Sequence, residues 1–426
     1  MAEQPYLGYN AAIMLVIIAT IFIDMLGVGI LIPVIPLLLA SPTSNFYLLP
    51  AGVSPSQGYI LLGFLLAVFP LMQFFSTPIL GQLSDTFGRK KLLAISLAGT
   101  CVGYILFAIA IITRNLPLLF LSRALDGITG GNISVAQAAI ADITTPENRA
   151  KNFGLMGAAF GIGFILGPYI GGKLSDPSLV YWFSAATPFW CAGILSFLNM
   201  LSVIFIFNET LKTAQAHVRI KWGQAIHNII NAFAMKKLRI LFLTNFFYIG
   251  GFTFFTTFFS VFLIRKFNFT QGHIGDFFSY MGIWIAFTQV VVTRTLSRYF
   301  KEHAILKVTY IMGGVFVMMF FAPSVWWGLL FVVPFFSVAN GLTQSNSLAL
   351  ISRSVGAEIQ GKVMGINASI QALAQAVPPI LSGYIAASIT PEAPIFIASL
   401  VIIFAGILFI VLYRSPRTVT EVPTLS

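Results

Sequence analysis

Charged residues are scarce in this chain of 426 residues, where Asp, Glu, Lys and Arg together make up 9%. A soluble globule needs polar side chains over its surface, and a chain with 58% hydrophobic residues has too few of them. The composition therefore excludes a soluble protein. It favours a chain that spans a membrane, with the lipid bilayer as its partner.

Cysteine is also rare, and Cys101 and Cys191 both lie inside apolar runs. Two such thiols indicate neither a disulfide framework nor a metal cluster. The histidines lie in or beside predicted loops, at His217, His227, His273 and His303. No nucleophile is paired with a base in the sequence, so we expect no metal, no cofactor and no enzyme active site.

A nucleotide site is not expected either. Residues Gly356–Lys362 have the spacing of a P-loop, but Val363 follows where a Ser or Thr should bind magnesium. No strand precedes them, as a P-loop requires. ATP is therefore not the predicted energy source.

Long apolar runs dominate the sequence. A run of about 20 residues at ~1.5 Å per residue crosses the ~30 Å hydrocarbon core of a bilayer. Such runs begin near Ala11, Tyr59, Leu92, Pro117, Asn152, Val180, Leu238, Gly272, Ala304, Val325, Val363 and Pro394. The first run is too long for a signal-peptide core and is predicted to be a permanent span. We therefore predict an all-α membrane protein with twelve transmembrane helices.

The net charge of +11 is distributed unevenly along the chain. If the loop Gly81–Lys91 is cytoplasmic, alternation of the spans puts all but five of the 24 Lys and Arg residues on that side. The exceptions are Arg114, Lys173, Arg265 and Lys266 on the opposite side and Arg123 inside a span. This bias predicts a multi-pass protein of the inner (cytoplasmic) membrane with both termini in the cytoplasm. The charge therefore indicates no nucleic-acid partner.

The longest polar interval lies at the middle of the chain and predicts the domain organisation. We expect a six-helix bundle over 1–207, a cytoplasmic linker over 208–237, a second bundle over 238–414 and a cytoplasmic tail over 415–426. Within the linker, Trp222–Ala234 has apolar residues at helical spacing, namely Ile226, Ile229, Ile230 and Phe233. This segment is predicted to be an amphipathic helix on the bilayer surface.

Short sequences recur between the two halves, which indicates an internal duplication. The matches are Leu83–Phe87 with Leu296–Phe300, Asp126–Thr129 with Asn340–Thr343, and Pro168 with Pro379. The second copy reverses two charges, since Arg298 replaces Asp85 and Glu302 replaces Arg89. We hypothesise that the reversed charges pair across the halves when the cytoplasmic side is shut.

The loop Gly81–Lys91 is the most specific local pattern and the candidate gating loop. We expect Gly81 and Gly88 to permit a tight backbone path. Asp85 is expected at a helix N-terminus, where a carboxylate is favoured, with Arg89 as its charged partner.

Three ionisable side chains lie inside predicted spans. Asp24 is in the middle of the first span, where a carboxylate costs at least ~2.5–3.5 kcal/mol unless it is paired, protonated or hydrated. Arg123 and Asp126 share one face of the fourth span and can neutralise each other. We expect proton coupling at these three residues. The alternatives are a structural, hydrogen-bonded carboxyl at Asp24 and an ion pair that serves only membrane insertion.

Small residues recur in the predicted fifth span. The pattern G-x8-G-x3-G-P-x2-G-G consists of Gly154, Gly163, Gly167, Pro168, Gly171 and Gly172. Small residues at this spacing let a neighbouring helix approach closely, and Pro168 permits a bend. The corresponding positions of the second half hold Gly365, Ala374, Pro378 and Pro379, so the pattern belongs to one half only.

Polar residues also recur in spans that are otherwise apolar. The candidates for a substrate cavity are Gln73, Gln289, Asn340, Gln344, Asn367 and Gln371, with Tyr280 and Trp284 as aromatic partners. Such amides either bind a substrate or bridge helices, and bridging is the commoner role. Most of the aromatic residues in the seventh span, from Phe242 to Phe259, are expected to face lipid.

These motifs together resemble those of the major facilitator superfamily. Gly81–Lys91 resembles the signature loop between its second and third helices, and Arg123–Gly127 resembles its fourth-helix motif R-x-x-x-G, whose arginine is associated with proton coupling. The glycine pattern resembles the family's antiporter motif, which is associated with exporters. The resemblance covers essentially the whole chain. It implies two pseudo-symmetric six-helix bundles that rock to expose a midplane site to each side in turn.

Within this superfamily the chain is similar to bacterial tetracycline/proton antiporters of the twelve-helix drug-efflux branch. The similar segments are Asp24–Pro36, Asp126–Gly130, Ala141–Thr144, Gly154–Gly172 and Gln360–Gly361. The resemblance implies titratable residues in helices three, eight and nine, but this chain has Gly103, a residue near Ile285 and one near Met312 there. Proton coupling would therefore rest on Asp24, Arg123 and Asp126.

We expect a monomeric secondary transporter that exports a small amphiphilic compound, such as a drug, a metabolite or a siderophore, in exchange for protons. One alternative is a nutrient importer or an uncoupled facilitator of the same fold. Another is a membrane receptor, which would show no counter-transport and no dependence on Asp24.

Overall fold

The structure is a computed structural model that describes residues 4–50, 52–144, 149–211, 223–235, 238–355 and 357–414. Throughout these ranges the regular secondary structure is helical, and no strand is present. The predicted all-α fold is therefore confirmed. Residues 212–222 and 236–237 of the predicted linker, and the predicted tail 415–426, lie outside the described residues.

The first part of the chain, which we call the N-half, consists of helices α1 to α7 within the described residues. They are α1 Gln4–Leu39, α2 Pro55–Phe87, α3 Arg89–Ile112, α4 Leu116–Thr129, α5 Asn132–Ile143, α6 Arg149–Leu174 and α7 Thr187–Phe205. The predicted sixth span thus begins at Thr187 rather than near Val180. That boundary was wrong because the helix starts at the favoured proline position, with Pro188 in its first turn.

The second part, which we call the C-half, consists of helices α9 to α15 and follows the linker helix α8. The helices are α8 Gln224–Ala234, α9 Arg239–Phe267, α10 Gln271–Phe287, α11 Thr293–Leu296, α12 Glu302–Met319, α13 Leu329–Arg353, α14 Ala357–Ser388 and α15 Ala393–Leu412. A π-helical turn, Thr288–Val292, joins α10 to α11, and a 3-10 turn, Trp326–Gly328, precedes α13.

Eleven stretches of the described chain are long and apolar enough to cross a membrane. The remaining predicted span, the fourth, is divided between α4 and α5, each too short on its own. The break lies at Gly130 and Gly131, where a Cβ atom on Gly131 would lie 3.0 Å from Cα of Thr77. The two glycines therefore let α2 pack directly against the backbone at the break.

The two halves meet mainly through two helix pairs, α2 with α14 and α6 with α10. The residues in contact are Pro168, Gly172 and Gly275 at one crossing and Pro379, Gly383 and Gly63 at the other. A Cβ atom on Gly172 would lie 3.1 Å from Cα of Gly275, and one on Gly63 would lie 3.1 Å from Cα of Gly383. Because Pro168 corresponds to Pro379 in the internal duplication, both crossings are built in the same way.

Side-chain bonds between the halves lie in the part of the molecule opposite the α2–α3 loop. Arg265 donates to the hydroxyl of Tyr59 at 3.0 Å, and Lys173 pairs with Asp276 at 2.9 Å. These two bonds therefore hold the halves together on the side opposite the loop.

The linker helix α8 packs on α14 and α9 of the C-half and also contacts α2 of the N-half. Its buried residues are Ala225 and Ala232, and its exposed apolar residues are Ile226, Ile230 and Phe233. Asn228 donates to the hydroxyl of Ser369 on α14 at 3.0 Å. The helix predicted here is confirmed over Gln224–Ala234. Its position on the bilayer surface stays a prediction.

The aromatic residues of α9 are largely buried, so the prediction that most of them face lipid was wrong. Phe242, Tyr248, Phe254, Phe255, Phe258 and Phe259 are at most 7% exposed. Phe255, for example, packs on Phe336 of α13 with 4.9 Å between the ring centroids. The reason is that α14 and α15 enclose α9, which also contacts α1 of the N-half.

Candidate functional site

The N-half contains a small polar cavity where five helices, α1 to α5, meet. Its volume is about 20 Å³, which is enough for one water molecule. The polar side chains that line it are Asp24, Gln73, Thr100, Tyr104 and Asp126. The structure thus brings together three residues singled out from the sequence, Asp24, Gln73 and Asp126, from three separate spans.

Asp24 lies within α1 and is partly exposed to this cavity. Its Oδ2 atom is buried and has no hydrogen-bond partner among the described residues. Asn132, at the start of α5, interacts with Asp24, yet within the same residues neither of its amide atoms makes a well-formed hydrogen bond. A buried polar group without a hydrogen bond costs free energy. This carboxyl and this amide are therefore available to a proton or a ligand.

Arg123 and Asp126 form the ion pair that their spacing predicted. They are 5% and 4% exposed, and Nη1 of Arg123 lies 2.6 Å from Oδ2 of Asp126. The guanidinium carbon lies 4.5 Å from the ring centroid of Phe69 on α2, in a cation–π contact. Nε of Arg123 is buried and has no acceptor in the described part of the chain. One donor of the guanidinium is thus left over.

Tyr104 on α3 is a cavity residue that the sequence interpretation missed. Its hydroxyl lies against α1, in the space that a Cβ atom on Gly27 would occupy. The side chain is close enough to interact electrostatically with both Asp126 and Asp24. Thr100 lies four residues earlier on the same helix face. The spacing of Thr100 and Tyr104, two polar residues on one face of an apolar span, is the sequence signal that could have identified Tyr104.

Gly103 occupies the place where the resemblance implies an acid in helix three. A Cβ atom on Gly103 would lie 3.2 Å from Cβ of Asp126. The carboxylate at this point of the molecule therefore comes from α4 rather than from α3. Ile285 and Met312 lie near the places where the resemblance implies titratable residues in helices eight and nine. Both are in the C-half and do not line this cavity.

Gln73 on α2 lines the cavity and also bridges helices. Its amide nitrogen donates to the carbonyl oxygen of Gly130 at 2.9 Å, at the break between α4 and α5. The side chain therefore satisfies a backbone group that the break exposes. Its position is compatible with both substrate binding and helix bridging.

Asn340 and Asn367 bridge helices of the C-half. The Tyr248 hydroxyl donates to Oδ1 of Asn340, and Asn245 donates to Oδ1 of Asn367 at 2.8 Å. Both asparagines are 2% exposed. These bonds join α9 to α13 and to α14, so the bridging alternative describes both residues. Nδ2 of Asn340 has no acceptor within the described residues.

The remaining candidates for a substrate cavity do not line the cavity that contains Asp24. Gln289 and Gln344 are exposed, and Gln371 is partly buried. Tyr280 donates to the carbonyl of Leu330 at 3.2 Å and meets the ring of Trp284 edge-on, with centroids 6.4 Å apart. These two aromatic residues pack on the core of the C-half. Their role in a substrate cavity stays a prediction.

The connection between α2 and α3 is the single residue Gly88, whose φ of 95° is a conformation that favours glycine. Gly81 lies inside α2, so its predicted part in the turn was wrong. The polar residues after Leu80 continue the helix to Phe87, because the end of an apolar run does not have to be the end of a helix.

Asp85 lies in the last turn of α2, so its predicted position at a helix N-terminus was also wrong. A carboxylate is disfavoured near a helix C-terminus, and Arg89 compensates with Nη1 2.6 Å from Oδ1 of Asp85. Nε of Arg89 also lies 3.1 Å from Oδ2 of Asp142 on α5. The carboxylate at the N-terminus of α3 belongs to Glu209, which accepts from the backbone N–H of Arg89 at 2.8 Å.

The glycine pattern of α6 contacts two different helices. Gly163, Gly167 and Gly171 pack on α1, Gly172 packs on α10, and Pro168 contacts both. A Cβ atom on Gly167 would lie 2.8 Å from Cα of Gly29. Close helix approach is therefore present everywhere in the pattern except at Gly154, which has no such neighbour among the described residues.

Among the described residues, the reversed charges of the second half do not pair across the halves. Glu302 pairs with Arg353 on α13, within the C-half. Arg298 is exposed and makes no ion pair with any described residue. The hypothesis concerned the state in which this end is shut, so it stays a prediction.

Comparison with known proteins places this architecture in a family. The sequence profile of the Major Facilitator Superfamily matches residues 17–378 and 241–425. The chain is 32% identical over 383 residues to the tetracycline resistance protein, class H, of Pasteurella multocida, with 88% of this chain and 89% of the relative covered. It is 26% identical over 412 residues to the quinolone resistance protein NorA of Staphylococcus aureus (strain MSSA476), with 93% and 95% covered.

The fold is also similar to that of a solved transporter. The crystal structure of a D-xylose-proton symporter matches with a TM-score of 0.76 at 15% identity, covering 94% of this chain and 97% of that one. The resistance-protein relatives confirm the resemblance to the drug–proton antiporter branch. The chain belongs to the Major Facilitator Superfamily of membrane transporters.

Proposed function

We propose that this protein exports a small amphiphilic compound from the cytoplasm in exchange for protons, by alternating access between the N-half and the C-half. Relatives that confer resistance to tetracycline and to quinolones support export as the direction. In this proposal the protein acts as a monomer in the inner membrane, and the proton gradient replaces ATP as the source of energy.

The charge balance of the N-half cavity carries this proposal. Arg123 supplies one positive charge, and its ion pair with Asp126 already uses that charge. Asp24 faces the cavity that Asp126 also lines, and none of the described residues that line it is a cation. A carboxyl inside a membrane is stable only when it is protonated, paired or hydrated. Asp24 therefore binds a proton when the cavity is dry and releases it when the cavity opens to water.

Arg123 can link the two carboxyl groups. While Asp24 is protonated, the guanidinium is engaged by Asp126 alone and its Nε has no acceptor in the described residues. Once Asp24 is ionised, an arginine with several donors can share its charge between two carboxylates. Proton release would thus change the position of a side chain on α4, beside the cavity that Asp24 and Gln73 line.

The orientation follows from the distribution of positive charge. With the α2–α3 loop in the cytoplasm, the bonds from Arg265 to Tyr59 and from Lys173 to Asp276 join the halves on the outer side. Asp85 and Arg89 lie at the cytoplasmic end in this orientation and would act as the gate, with Gly88 as the turn between α2 and α3. The exposed amides Gln289 and Gln344 are the candidates for contacting substrate in the C-half.

The test is transport by the purified protein in liposomes with an imposed pH gradient. Lumenal pH is recorded while lipophilic cations, tetracyclines and siderophores are added singly. The proteins are the wild type, Asp24→Asn and the control Asp176→Asn, which removes a carboxyl just outside α6. We expect at least one compound to move protons in the wild type and the control but not in Asp24→Asn. Compounds that cross the wild type without proton movement would overturn proton exchange in favour of an uncoupled facilitator.

A further inference from the structure

A second cavity lies far from Asp24, between the linker helix α8 and the helices α9 and α14. It is a groove of about 120 Å³. Its walls include Phe233 on α8, Leu243 and Phe246 on α9, and Ile370 on α14. For comparison, a dry apolar cavity of ~150 Å³ is large enough to bind benzene. The groove is therefore suited to a segment of hydrocarbon.

One positive charge lies at the mouth of this groove. Arg239 is the first residue of α9, lines the groove and is exposed. It has no ion pair or side-chain hydrogen bond within the described part of the chain. Leu243 and Phe246 lie one and two helical turns deeper, so the apolar wall extends about 10 Å from the charge. A cation at one end of an apolar wall matches an amphiphile with a negatively charged head.

We propose that this groove binds an anionic phospholipid, with an acyl chain between α8, α9 and α14 and its phosphate on Arg239. The groove belongs to a membrane protein and opens beside an amphipathic helix whose Ile226 and Ile230 are exposed, as in helices at a bilayer interface. Basic residues at the cytoplasmic surface attract anionic lipids, and Lys236 and Lys237 directly precede this site in the sequence.

Binding at this site would connect the linker to the transport machinery. Helix α8 is already held to α14 by the hydrogen bond from Asn228 to Ser369. Helix α14 in turn forms one of the two crossings with the N-half. A lipid seated beneath α8 therefore adds an apolar contact between the linker and a helix that must move when the halves rock.

The experiment is native mass spectrometry of the full-length protein in detergent. The protein is mixed with equal amounts of phosphatidylglycerol and phosphatidylcholine that carry the same acyl chains, and the bound lipids are counted. The variants are Arg239→Gln and Leu243→Trp, which fills the groove. The matched control is Arg294→Gln, which removes another exposed arginine of the C-half that does not line the groove.

We expect the wild type and Arg294→Gln to retain phosphatidylglycerol in preference to phosphatidylcholine. Arg239→Gln should lower the retained phosphatidylglycerol about fivefold, the contribution of one basic residue near an anionic surface. Leu243→Trp should lose the lipid whatever its headgroup. Equal retention of both lipids by the wild type, or an Arg239→Gln protein that matches Arg294→Gln, would overturn the proposal. Neither outcome depends on proton exchange, so the site is tested separately from transport.

Discussion

Asp126 and Asn340 occupy corresponding positions of the internal duplication, and each is buried in the same setting. Asp126 lies on α4 and is 4% exposed, and Asn340 lies on α13 and is 2% exposed. Three residues later, each helix carries a threonine that meets a threonine on the preceding long helix. The oxygen–oxygen distance is 3.2 Å for Thr129 and 2.8 Å for Thr343. The two halves thus share a packing scaffold and differ in charge.

The difference lies in how the polar groups are satisfied. Asn340 takes part in a neutral bridge from Tyr248 and leaves its amide nitrogen without an acceptor in the described residues. Asp126 instead pairs with Arg123 on its own helix, beside a second carboxyl, Asp24, whose Oδ2 has no such partner. The unpartnered group of the C-half is a neutral amide, whereas an unpaired carboxylate inside a membrane must bind a proton or water. We therefore propose that coupling belongs to the N-half and that the C-half cluster has a structural role.

The largest effect should come from removing the cation of the N-half. Arg123→Leu leaves Asp126 buried without a counter-ion, which costs about 3–5 kcal/mol of stability. The double variant Arg123→Leu/Asp126→Leu removes both charges and should regain most of this loss, while proton exchange stays abolished. Thermal unfolding in detergent measures the stabilities. A single variant as stable as the double would show that Asp126 does not depend on Arg123.

A charge introduced into the C-half tests whether that half, unlike the N-half, excludes a buried carboxylate. Asn340→Asp places an acid beside Tyr248 and Gln344, neither of which is charged. The expected cost is about 3 kcal/mol, as for an unpaired carboxylate inside a membrane. The control Asn340→Leu loses only the bridge and should cost about 1 kcal/mol in the same unfolding measurement. If both variants lose the same stability, the C-half accommodates charge and the contrast between the halves fails.

The fold and part of the site could be predicted from the sequence for one physical reason. Polar atoms are costly inside a membrane, so spans are apolar and the few polar residues within them must converge. The twelve runs and the convergence of Asp24 with Asp126 follow from this rule. The division of the fourth span at Gly130 does not follow from it, because hydropathy does not detect the close packing of α2 against a helix break.

Other features depended on contacts that no local pattern encodes. Tyr104 was missed because an aromatic residue in an apolar span usually serves packing, and only its contact with Gly27 places its hydroxyl in the cavity. Asp85 was assigned to the wrong helix end because the apolar run stops before α2 does. Glu209, which follows the sixth span, accepts a hydrogen bond from the backbone N–H of Arg89 at the start of α3. This contact depends on the tertiary structure and not on a local sequence pattern.

An intermediate effect is expected where α1 and α3 touch in the N-half. Gly27→Ala places a methyl group in the space of the Tyr104 hydroxyl and forces the ring to move, at a cost of about 1–3 kcal/mol. Proton movement in the liposome assay should fall as well, since the displaced ring lines the Asp24 cavity.

The matched control for this variant is Gly157→Ala, which adds the same methyl group to α6 at a position outside the glycine pattern where the described structure has no neighbour. It should leave proton movement unchanged and stabilise α6 by up to ~1 kcal/mol through helix propensity. If the two variants show the same stability and the same proton movement, the contact between Gly27 and Tyr104 contributes to neither.

The smallest effects should come from the scaffold that the halves share. Thr129→Val and Thr343→Val keep the side-chain shape and remove one hydroxyl bridge each, at about 0.6 kcal/mol for a typical hydrogen bond between membrane helices. The two losses should be equal within error in thermal unfolding, because both bridges join corresponding helices. Both variants should also keep wild-type proton movement.

Proton movement by Thr129→Val and Thr343→Val shows whether the threonine bridges contribute to proton coupling. Thr100 both meets Thr129 and lines the cavity with Asp126. Thr309, the partner of Thr343, makes no hydrogen bond with an acid among the described residues. If Thr129→Val alone reduces proton movement, the threonine bridge holds Thr100 in place for Asp126, and the N-half has adapted the scaffold itself for coupling. If neither variant changes it, the charges of Asp24, Arg123 and Asp126 account for the functional difference between two otherwise equivalent halves.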